Sequence, residues 1–455
     1  MKKPATLDLL QLATLGTALS LRLASSDTVG YSYLVLAGYA LLGRAQAIQA
    51  LAMSWLFSML GVGVAPAASN VIWARYLAIA GPALSALLYH ALSNRPSSIS
   101  RPVLYSLALG VFLTFHSMIF SPIPDLSILR AVLWTMVMVT LLSAWAGLDN
   151  QARERLEQQL FGGLVVLVLV SLPLAFTDIG YLVNGTGFQG VLNHPQTFGP
   201  VVAIVGAWVA GRLLGTSRQR WHEVAFLGLC FVLIVMSETR TAGMALVLGL
   251  ASAVLVSPRI AGIPVRQLMP GLASGRLRAL ALIAVIGAVV ADPALWGRLG
   301  DYVLKRSDSV DLLEIVDSSR GPLVQAMIAN IEEEPFTGIG FAMASEPLSM
   351  VIEREPMLEL PIGGFIGIEK GVMPIAVLEE LGVFGFLMVT IWIWLMVKRG
   401  AKAGVVAFAV MATLLFTNLG ESTLFFPGGL GLLLLILLAW AVTGKQHHMQ
   451  DRAHG

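Results

Sequence analysis

Residues 372–397 read VMPIAVLEELGVFGFLMVTIWIWLMV, and this stretch decides the fold of the chain. An α-helix rises about 1.5 Å per residue, so these residues form a helix long enough to cross the ~30 Å hydrocarbon core of a bilayer. Its charged residues are Glu379 and Glu380, which stand roughly two turns inside the apolar run. The stretch predicts a membrane-spanning helix whose carboxylates face a polar cavity or pair with an arginine.

The rest of the chain has a similar composition. It is 56% hydrophobic and 12% charged, whereas about a quarter of the residues in soluble domains are charged. We therefore predict an all-α polytopic membrane protein, with residues 1–455 as a single membrane domain of about 12–14 transmembrane helices. The fourteen candidate spans are 7–22, 28–42, 45–62, 71–91, 102–120, 128–147, 158–176, 197–214, 221–236, 241–256, 279–296, 372–397, 402–418 and 424–443.

The distribution of cations predicts the orientation. If the N-terminus is cytoplasmic, most of the 29 Lys and Arg residues fall in inside segments, as the positive-inside rule requires. Both termini are then cytoplasmic, and the first span is expected to be retained. Basic and acidic residues nearly balance, with 29 against 27, so nucleic-acid binding is not implied. A single cysteine, Cys230, excludes a disulfide within the chain and disfavours a cysteine-ligated metal site.

A long acidic loop, residues 297–371, interrupts the spans and is predicted to lie on the outer side. It holds 13 acids against six cations. Within it we predict an amphipathic helix that Ser318 or Ser319 caps, that has Pro322 in its first turn, and that Pro335 ends. Leu323, Met327, Ile328 and Ile331 would share its apolar face. Such a loop is expected to pack on the membrane domain.

Two arginines are predicted at helix N-termini on the outer side. Arg240 lies in Ser237-Glu238-Thr239-Arg240-Thr241, between two spans, and Arg320 follows Asp317-Ser318-Ser319 at the start of the loop helix. A guanidinium together with a helix N-terminus binds phosphate well. The alternatives are a pair with Glu238 or snorkelling for Arg240, and a salt bridge to Asp317 for Arg320.

Two further arginines, Arg75 and Arg130, approach the same outer face. Each alone is explained by snorkelling to the interface. If the four arginines converge, they form a cationic site for a diphosphate.

Five other residues are candidates for proton transfer or for support of the site. His194, in an outer loop, can move a proton or bind an oxyanion, although a helix-start histidine is common. Glu369 and Lys370 precede the span at 372–397, and an acid such as Glu369 near a phosphate can act as a general base. Glu379 and Glu380 are supporting residues, with a structural counter-ion role as the alternative. The motifs of ATP, serine or zinc chemistry are missing from the sequence, so no metal or cofactor is expected.

Four segments in order resemble motifs of the O-antigen ligase and polymerase family of bacterial envelope proteins. They lie between residues 190 and 397, and the first 150 residues match that family only in being hydrophobic spans. The segments are GVLNHPQTFG (190–199), SETRTAGMA (237–245), SRGPLVQAMIANIEEEPFTGIG (319–340) and EKGVMPIAVLEELGVFG (369–385).

The resemblance implies a GT-C-like fold in the bacterial inner membrane, with a periplasmic loop. It implies transfer of a glycan from undecaprenyl diphosphate, at the periplasmic face and without nucleotide sugar or metal. Arg240 and Arg320 would bind the donor diphosphate. The resemblance does not supply the base, for which the residues themselves offer Glu369 and, as a second candidate, His194. The acceptor would be a glycan, lipid or protein, with polysaccharide-export proteins as partners.

One departure leaves the reaction open. Ligases of the family often carry a histidine-containing pair where this chain has Glu369-Lys370, which favours a polymerase and leaves the base unassigned. Outside the family, a secondary transporter, a lipid flippase or a non-catalytic envelope scaffold would also account for many spans. Inverted repeats and interrupted helices are typical of transporters, and the sequence does not display them clearly.

Overall fold

The computed structural model describes residues 8–67, 72–91, 100–275, 312–347, 350, 352, 354, 361 and 370–444. Within these residues the secondary structure is helical, and no strand is formed. The α-helices are α1 Leu9–Ala24, α2 Val29–Ala40, α3 Arg44–Met59, α4 Ile72–Ala91, α5 Arg101–Phe120, α6 Pro124–Ala146, α7 Asn150–Ser171, α8 Pro195–Gly215, α9 Trp221–Met236, α10 Arg240–Leu255, α11 Ser257–Ala261, α12 Val265–Leu268, α13 Leu312–Glu333, α14 Met373–Ala403, α15 Val405–Thr417 and α16 Gly429–Val442.

Thirteen of the fourteen predicted spans coincide with helices, and the other, 279–296, lies outside the described residues. Among the described residues, five helices are long and apolar enough to cross a membrane, namely α5, α6, α7 extended to Phe176, α8 and α14. The prediction of an all-α membrane protein is thereby confirmed. The total of 12–14 spans stays a prediction, because several of the remaining apolar helices have only 10–17 residues.

The centre of the bundle is built from helices that are apolar on every side. Residues 432–442 of α16 are all buried, and so are most residues of α8. A helix that is hydrophobic all round belongs in the core of a bundle. Around this core, Phe161 of α7 stacks on Trp208 of α8, with ring centroids 4.8 Å apart, and meets Trp440 of α16 edge-on. Helices α1 to α4 add a smaller core of their own around Tyr33 and Phe57.

Hydrogen bonds between neighbouring helix termini define the two ends of the bundle. At the end that we call the loop end, Asn193 N donates to Met59 O at 2.8 Å and Phe188 N donates to Met236 O at 2.8 Å. The ends of α3 and α9 therefore lie beside the start of α8. At the opposite end, which we call the basic end, Arg44 donates to the carbonyl of Gly147 at 2.7 Å. This bond joins the start of α3 to the end of α6.

Helix α14 is broken at Gly382, where φ is +62° and ψ is −173°. Such a conformation is essentially restricted to glycine. Residues 335–345, which we call the strap, fill the break. Ile339 N and Gly340 N donate to the carbonyls of Glu379 and Glu380 at 2.9 and 3.0 Å, and on the far side of the break Val383 N donates to Pro335 O at 2.9 Å. The described part of the long loop thus packs on the membrane helices, as the sequence predicts.

The loop helix α13 begins earlier than predicted. It is helical from Leu312, so Arg320 lies about two turns inside it, and the prediction of Arg320 at a helix N-terminus is wrong. The caps predicted at Ser318 and Ser319 are wrong for the same reason. The preceding sequence Leu-Leu-Glu-Ile-Val-Asp contains good helix formers and neither glycine nor proline, which lets the helix start earlier. The helix ends at Glu333, just before Pro335, as predicted.

The apolar face of α13 is narrower than predicted. Met327 is fully buried, whereas Ile328 is 44% exposed. Adjacent residues on a helix are about 100° apart, so both cannot face the same neighbour fully.

We expect Gly382→Ala to lower the apparent melting temperature of the detergent-solubilised protein. A Cβ at this position would lie 2.1 Å from Phe336 O, and the backbone conformation would cost about 1–3 kcal/mol in a non-glycine residue. Thermal unfolding followed by size-exclusion chromatography measures the effect. Gly162→Ala is the matched control, because a Cβ there meets nothing within 4 Å. Equal melting temperatures for the two variants would contradict the proposed tight fit of the strap.

Candidate functional site

A buried cluster of three charged side chains lies at the loop end of α14. Lys370 Nζ is 2.6 Å from Glu379 Oε2 and 3.1 Å from Glu380 Oε1. The exposed fractions of the three side chains are 4%, 0% and 14%. Glu379 and Glu380 therefore form ion pairs with a lysine, whereas the sequence predicts carboxylates that face a polar cavity or pair with an arginine. Glu380 does line a cavity with polar groups. The single ammonium of Lys370 offsets the two carboxylates, which repel each other, and an opposite charge of this kind is what lets charged groups stay buried.

The cluster also holds the loop helix in place. Asn330 of α13 donates its amide from Nδ2 to Glu379 Oε1 at 2.7 Å and to the carbonyl of Ser345 at 2.8 Å. One asparagine thus connects the loop helix, the strap and the membrane helix. Since Glu379 is fully buried, both of its oxygens are used inside the protein: one contacts Lys370 and the other accepts from Asn330.

Helices α5 and α6 hold the strap from its other side. Ser127 Oγ donates to Phe341 O at 2.8 Å, and Arg130 Nη1 donates to Ala342 O. His116 Nε2 lies 2.6 Å from the carbonyl of Thr337. The backbone of Ala342 has a positive φ of 57°, and its N–H donates to Glu380 Oε2 at 2.6 Å. A non-glycine residue keeps this conformation when its surroundings fix it from several sides.

A cavity of about 250 Å³ lies between the strap, α6, the start of α14 and the turn that follows α15. Arg130, Lys370 and Glu380 contribute charge to it, Ser422 and Thr423 contribute hydroxyls, and aromatic rings form part of the wall. Its lining residues are Arg130, Phe341, Ala342, Met343, Ala344, Met350, Lys370, Ala376, Val377, Glu380, Leu381, Ser422, Thr423, Phe425 and Phe426. Polar groups within an otherwise apolar concavity are typical of small-molecule sites.

Asn418 shapes the turn that closes this cavity. Its Oδ1 accepts from Thr423 N at 3.0 Å and from Leu424 N at 2.9 Å, and its carbonyl accepts from Met373 N at 3.1 Å. The side chain is fully buried. This residue joins the end of α15 to the first residue of α14 and thereby positions Lys370 beside the cavity.

Arg240 and His194 lie in neighbouring turns at the loop end. Arg240 is the first residue of α10, as predicted, and it follows Glu238, whose φ is +54°. His194 caps α8, and its Nδ1 accepts from Gln196 N at 3.0 Å. The two turns are in close contact: a Cβ added to Gly199 would lie only 1.7 Å from Thr239 Oγ1.

The Arg240 turn also touches the turn that closes the cavity. A Cβ on Gly420 would lie 1.8 Å from Thr241 Cγ2, so the start of α10 is in contact with the end of α15. The cavity and the Arg240–His194 turns therefore lie next to each other at the loop end. We call this whole region the candidate site.

The other predicted site residues are placed differently. Arg75 lies over the ring of Tyr33, at 5.9 Å from its centroid, in the small core of α1 to α4, and it does not line the cavity. The side chain of Arg320 and the whole of Glu369 lie outside the described residues. The convergence of four arginines on one diphosphate therefore stays a prediction.

Three residues of the site were not predicted from the sequence. Asn330, Ser127 and Asn418 carry the hydrogen bonds that fix the strap and the cavity wall. Each stands among apolar residues close to the end of a helix, and a polar side chain in that setting is a detectable signal.

Searches against protein-family models and against curated protein sequences find no match to this chain.

We expect Lys370→Met to lower the stability of the protein by about 3–5 kcal/mol, because it leaves two glutamates buried without their cation. The double variant Lys370→Met, Glu379→Gln removes one of these charges and should recover part of the loss. The apparent melting temperature in detergent measures both changes. Lys402→Met, at an exposed lysine of the basic end, is the control. A double variant less stable than Lys370→Met would contradict the assigned ion pairing.

Proposed function

We propose that this protein transfers a glycan from undecaprenyl diphosphate to an acceptor hydroxyl at the periplasmic face of the bacterial inner membrane. One observation carries the proposal: the four segments that resemble the O-antigen ligase and polymerase family, which are far apart in sequence, meet at the loop end. Residues 339–340 donate hydrogen bonds to 379–380, and the segment 190–199 packs on the turn 237–241. The architecture would be GT-C-like, with the loop 297–371 in the periplasm.

The donor diphosphate is assigned to the surface around Arg240. Helix α10 begins at Arg240, and the helix macrodipole favours an anion beside this N-terminus. A guanidinium at the same place adds charge and paired donors. Lys370 is less suited to this role because Glu379 and Glu380 neutralise it. Arg130, on the cavity wall, would complete the cationic surface toward the glycan.

The reaction is a displacement at the anomeric carbon of the donor sugar. The acceptor oxygen forms a bond to that carbon, the bond from the carbon to the diphosphate oxygen breaks, and undecaprenyl diphosphate leaves with the electron pair. Because this leaving group is good, the protein mainly supplies positioning and charge neutralisation. The acceptor proton passes to a general base, for which Glu369 remains the proposed residue.

His194 is better suited to donate a hydrogen bond than to accept a proton. Its Nδ1 already accepts from Gln196 N, so in the neutral ring the hydrogen resides on Nε2. A helix N-terminus also disfavours a protonated imidazole. We therefore assign His194 to binding of a phosphate or sugar oxygen, and the predicted role as a base passes to Glu369 alone.

Ligation and polymerisation differ in the acceptor. Ligation would use a lipid or protein acceptor, and polymerisation another lipid-linked repeat, with polysaccharide-export proteins as partners in either pathway. The Glu369-Lys370 pair favours polymerisation. Sizing the surface polysaccharide of a deletion strain separates the two: loss of long chains with single repeats retained identifies a polymerase.

A transporter or flippase is the second candidate, and the break at Gly382 is the observation that favours it. Interrupted membrane helices of transporters use freed carbonyls to coordinate ions. Here the carbonyls of Glu379 and Glu380 accept from the strap instead. Because these carbonyls already accept hydrogen bonds, the break is better explained as an anchor for the loop than as an ion site. Substrate uptake into vesicles containing the purified protein, without any glycan product, would instead support transport.

We expect Arg240→Ala to reduce glycan transfer strongly in a deletion strain complemented with the variant, with lipid-linked donor accumulating. Removing a charge-assisted contact to phosphate costs about 1.5–3 kcal/mol, or roughly ten- to a hundredfold in transfer rate. Arg240→Lys should restore part of the activity, because it keeps the charge and loses the paired donors. Arg155→Ala, at an exposed arginine of the basic end, is the control. Full activity of Arg240→Ala at normal protein levels would refute the diphosphate assignment.

We also expect a cysteine introduced at Glu346 to react with a membrane-impermeant maleimide in intact spheroplasts. A cysteine introduced at Arg155 should react only after permeabilisation, because the basic end is assigned to the cytoplasm. Both positions are exposed, and the native Cys230 is buried, so the background is low. Labelling of both cysteines before permeabilisation, or the reverse pattern, would contradict the proposed orientation.

A further inference from the structure

A second concave surface lies far from the candidate site, near the basic end. It has a volume of about 430 Å³ and is formed by α8, α9 and α10. Its lining is entirely aliphatic: Ala210, Leu213, Leu214, Leu227, Leu250, Ala251, Val254 and Leu255. Helix α8 forms the floor, where Ala210, Leu213 and Leu214 are buried. We call this surface the aliphatic groove.

Within the part of the chain that the structure describes, the groove is open on its outer side. Leu255, at the end of α10, is 58% exposed, and Ala251 is exposed as well. In water, an open groove of this kind would be an apolar patch that requires a cover. In a membrane its cover is lipid, and a slot between helices holds a flexible hydrocarbon chain better than a flat helix face does.

Cations surround the end of the groove at the basic end. Arg259 donates from its guanidinium to the carbonyl of Leu255, which itself lines the groove. Arg218 and Arg220 directly precede α9, and both are exposed. The acid in this region, Glu223, is paired with Arg212 at 3.0 Å. An excess of positive charge therefore lies where the headgroup of a lipid in the groove would be.

We infer that the aliphatic groove binds one acyl chain of an anionic phospholipid, whose phosphate contacts Arg220 and Arg259. Charge complementarity selects the anionic headgroup, since each arginine near a membrane surface attracts anionic lipid by about 1 kcal/mol. The inference does not depend on the proposed glycan transfer. It concerns the opposite end of the bundle and requires no residue of the candidate site.

Binding of defined lipids to the purified full-length protein tests the inference. Delipidated protein is titrated with phosphatidylglycerol or phosphatidylcholine, and bound lipid is counted by native mass spectrometry. We expect phosphatidylglycerol to be retained preferentially. The double variant Arg220→Gln, Arg259→Gln should bind it about thirty-fold more weakly, because two arginine contacts are removed. Arg101→Gln, at an exposed arginine on the same end but on α5, is the control and should bind as the native protein does.

A second variant tests the acyl chain separately from the headgroup. Ala251→Trp fills the groove at an exposed position, so the helix packing is retained while the chain is displaced. It should reduce retention of phosphatidylglycerol with the arginines intact. Any one of three results would overturn the inference. They are equal binding of the two lipids, equal losses of phosphatidylglycerol binding in the Arg101 variant and the double variant, and full retention of phosphatidylglycerol by a folded Ala251→Trp protein. None of these results would bear on glycan transfer.

Discussion

The hydrogen bonds between the strap and the break in α14 are the contact on which the loop end depends. A membrane helix cannot leave carbonyls unsatisfied in an apolar environment, so an interruption at Gly382 requires donors from elsewhere. Ile339 and Gly340 supply them. Because the strap occupies this position, Ala342 can accept from Arg130 and donate to Glu380. The cavity between them exists only when the loop is docked in this way.

The sequence predicts the helices well and the packing between them poorly. Thirteen predicted spans coincide with helices because the constraint behind them is local: a run of apolar residues buries its own backbone polar groups by forming a helix. The position of Arg240 at the start of α10 follows from the same pattern. The break at Gly382 was not predicted, because it is stable only in contact with a segment some forty residues earlier in the chain.

For the charged residues, too, the features that depend on local sequence were predicted and those that depend on distant contacts were not. That Glu379 and Glu380 need partners could be argued from their depth in the span, but the identity of the partner could not. Lys370 lies nine residues before Glu379, and the turn fixed by Asn418 brings its ammonium beside the carboxylate. Asn330 had no role in the sequence argument, since its contact to Glu379 depends on the docking of the whole loop helix.

The early start of α13 separates the two arginines that the sequence argument had treated as equivalent. Arg240 keeps the N–H groups and the dipole of a helix N-terminus beside its guanidinium. Arg320 lies about two turns inside α13, so the helix offers it neither. An anion at the loop end would therefore be held mainly at α10, and Arg320 would contribute charge alone. If the proposed glycan transfer holds, the leaving diphosphate would be anchored at the bundle and the loop would contribute its charge from Arg320.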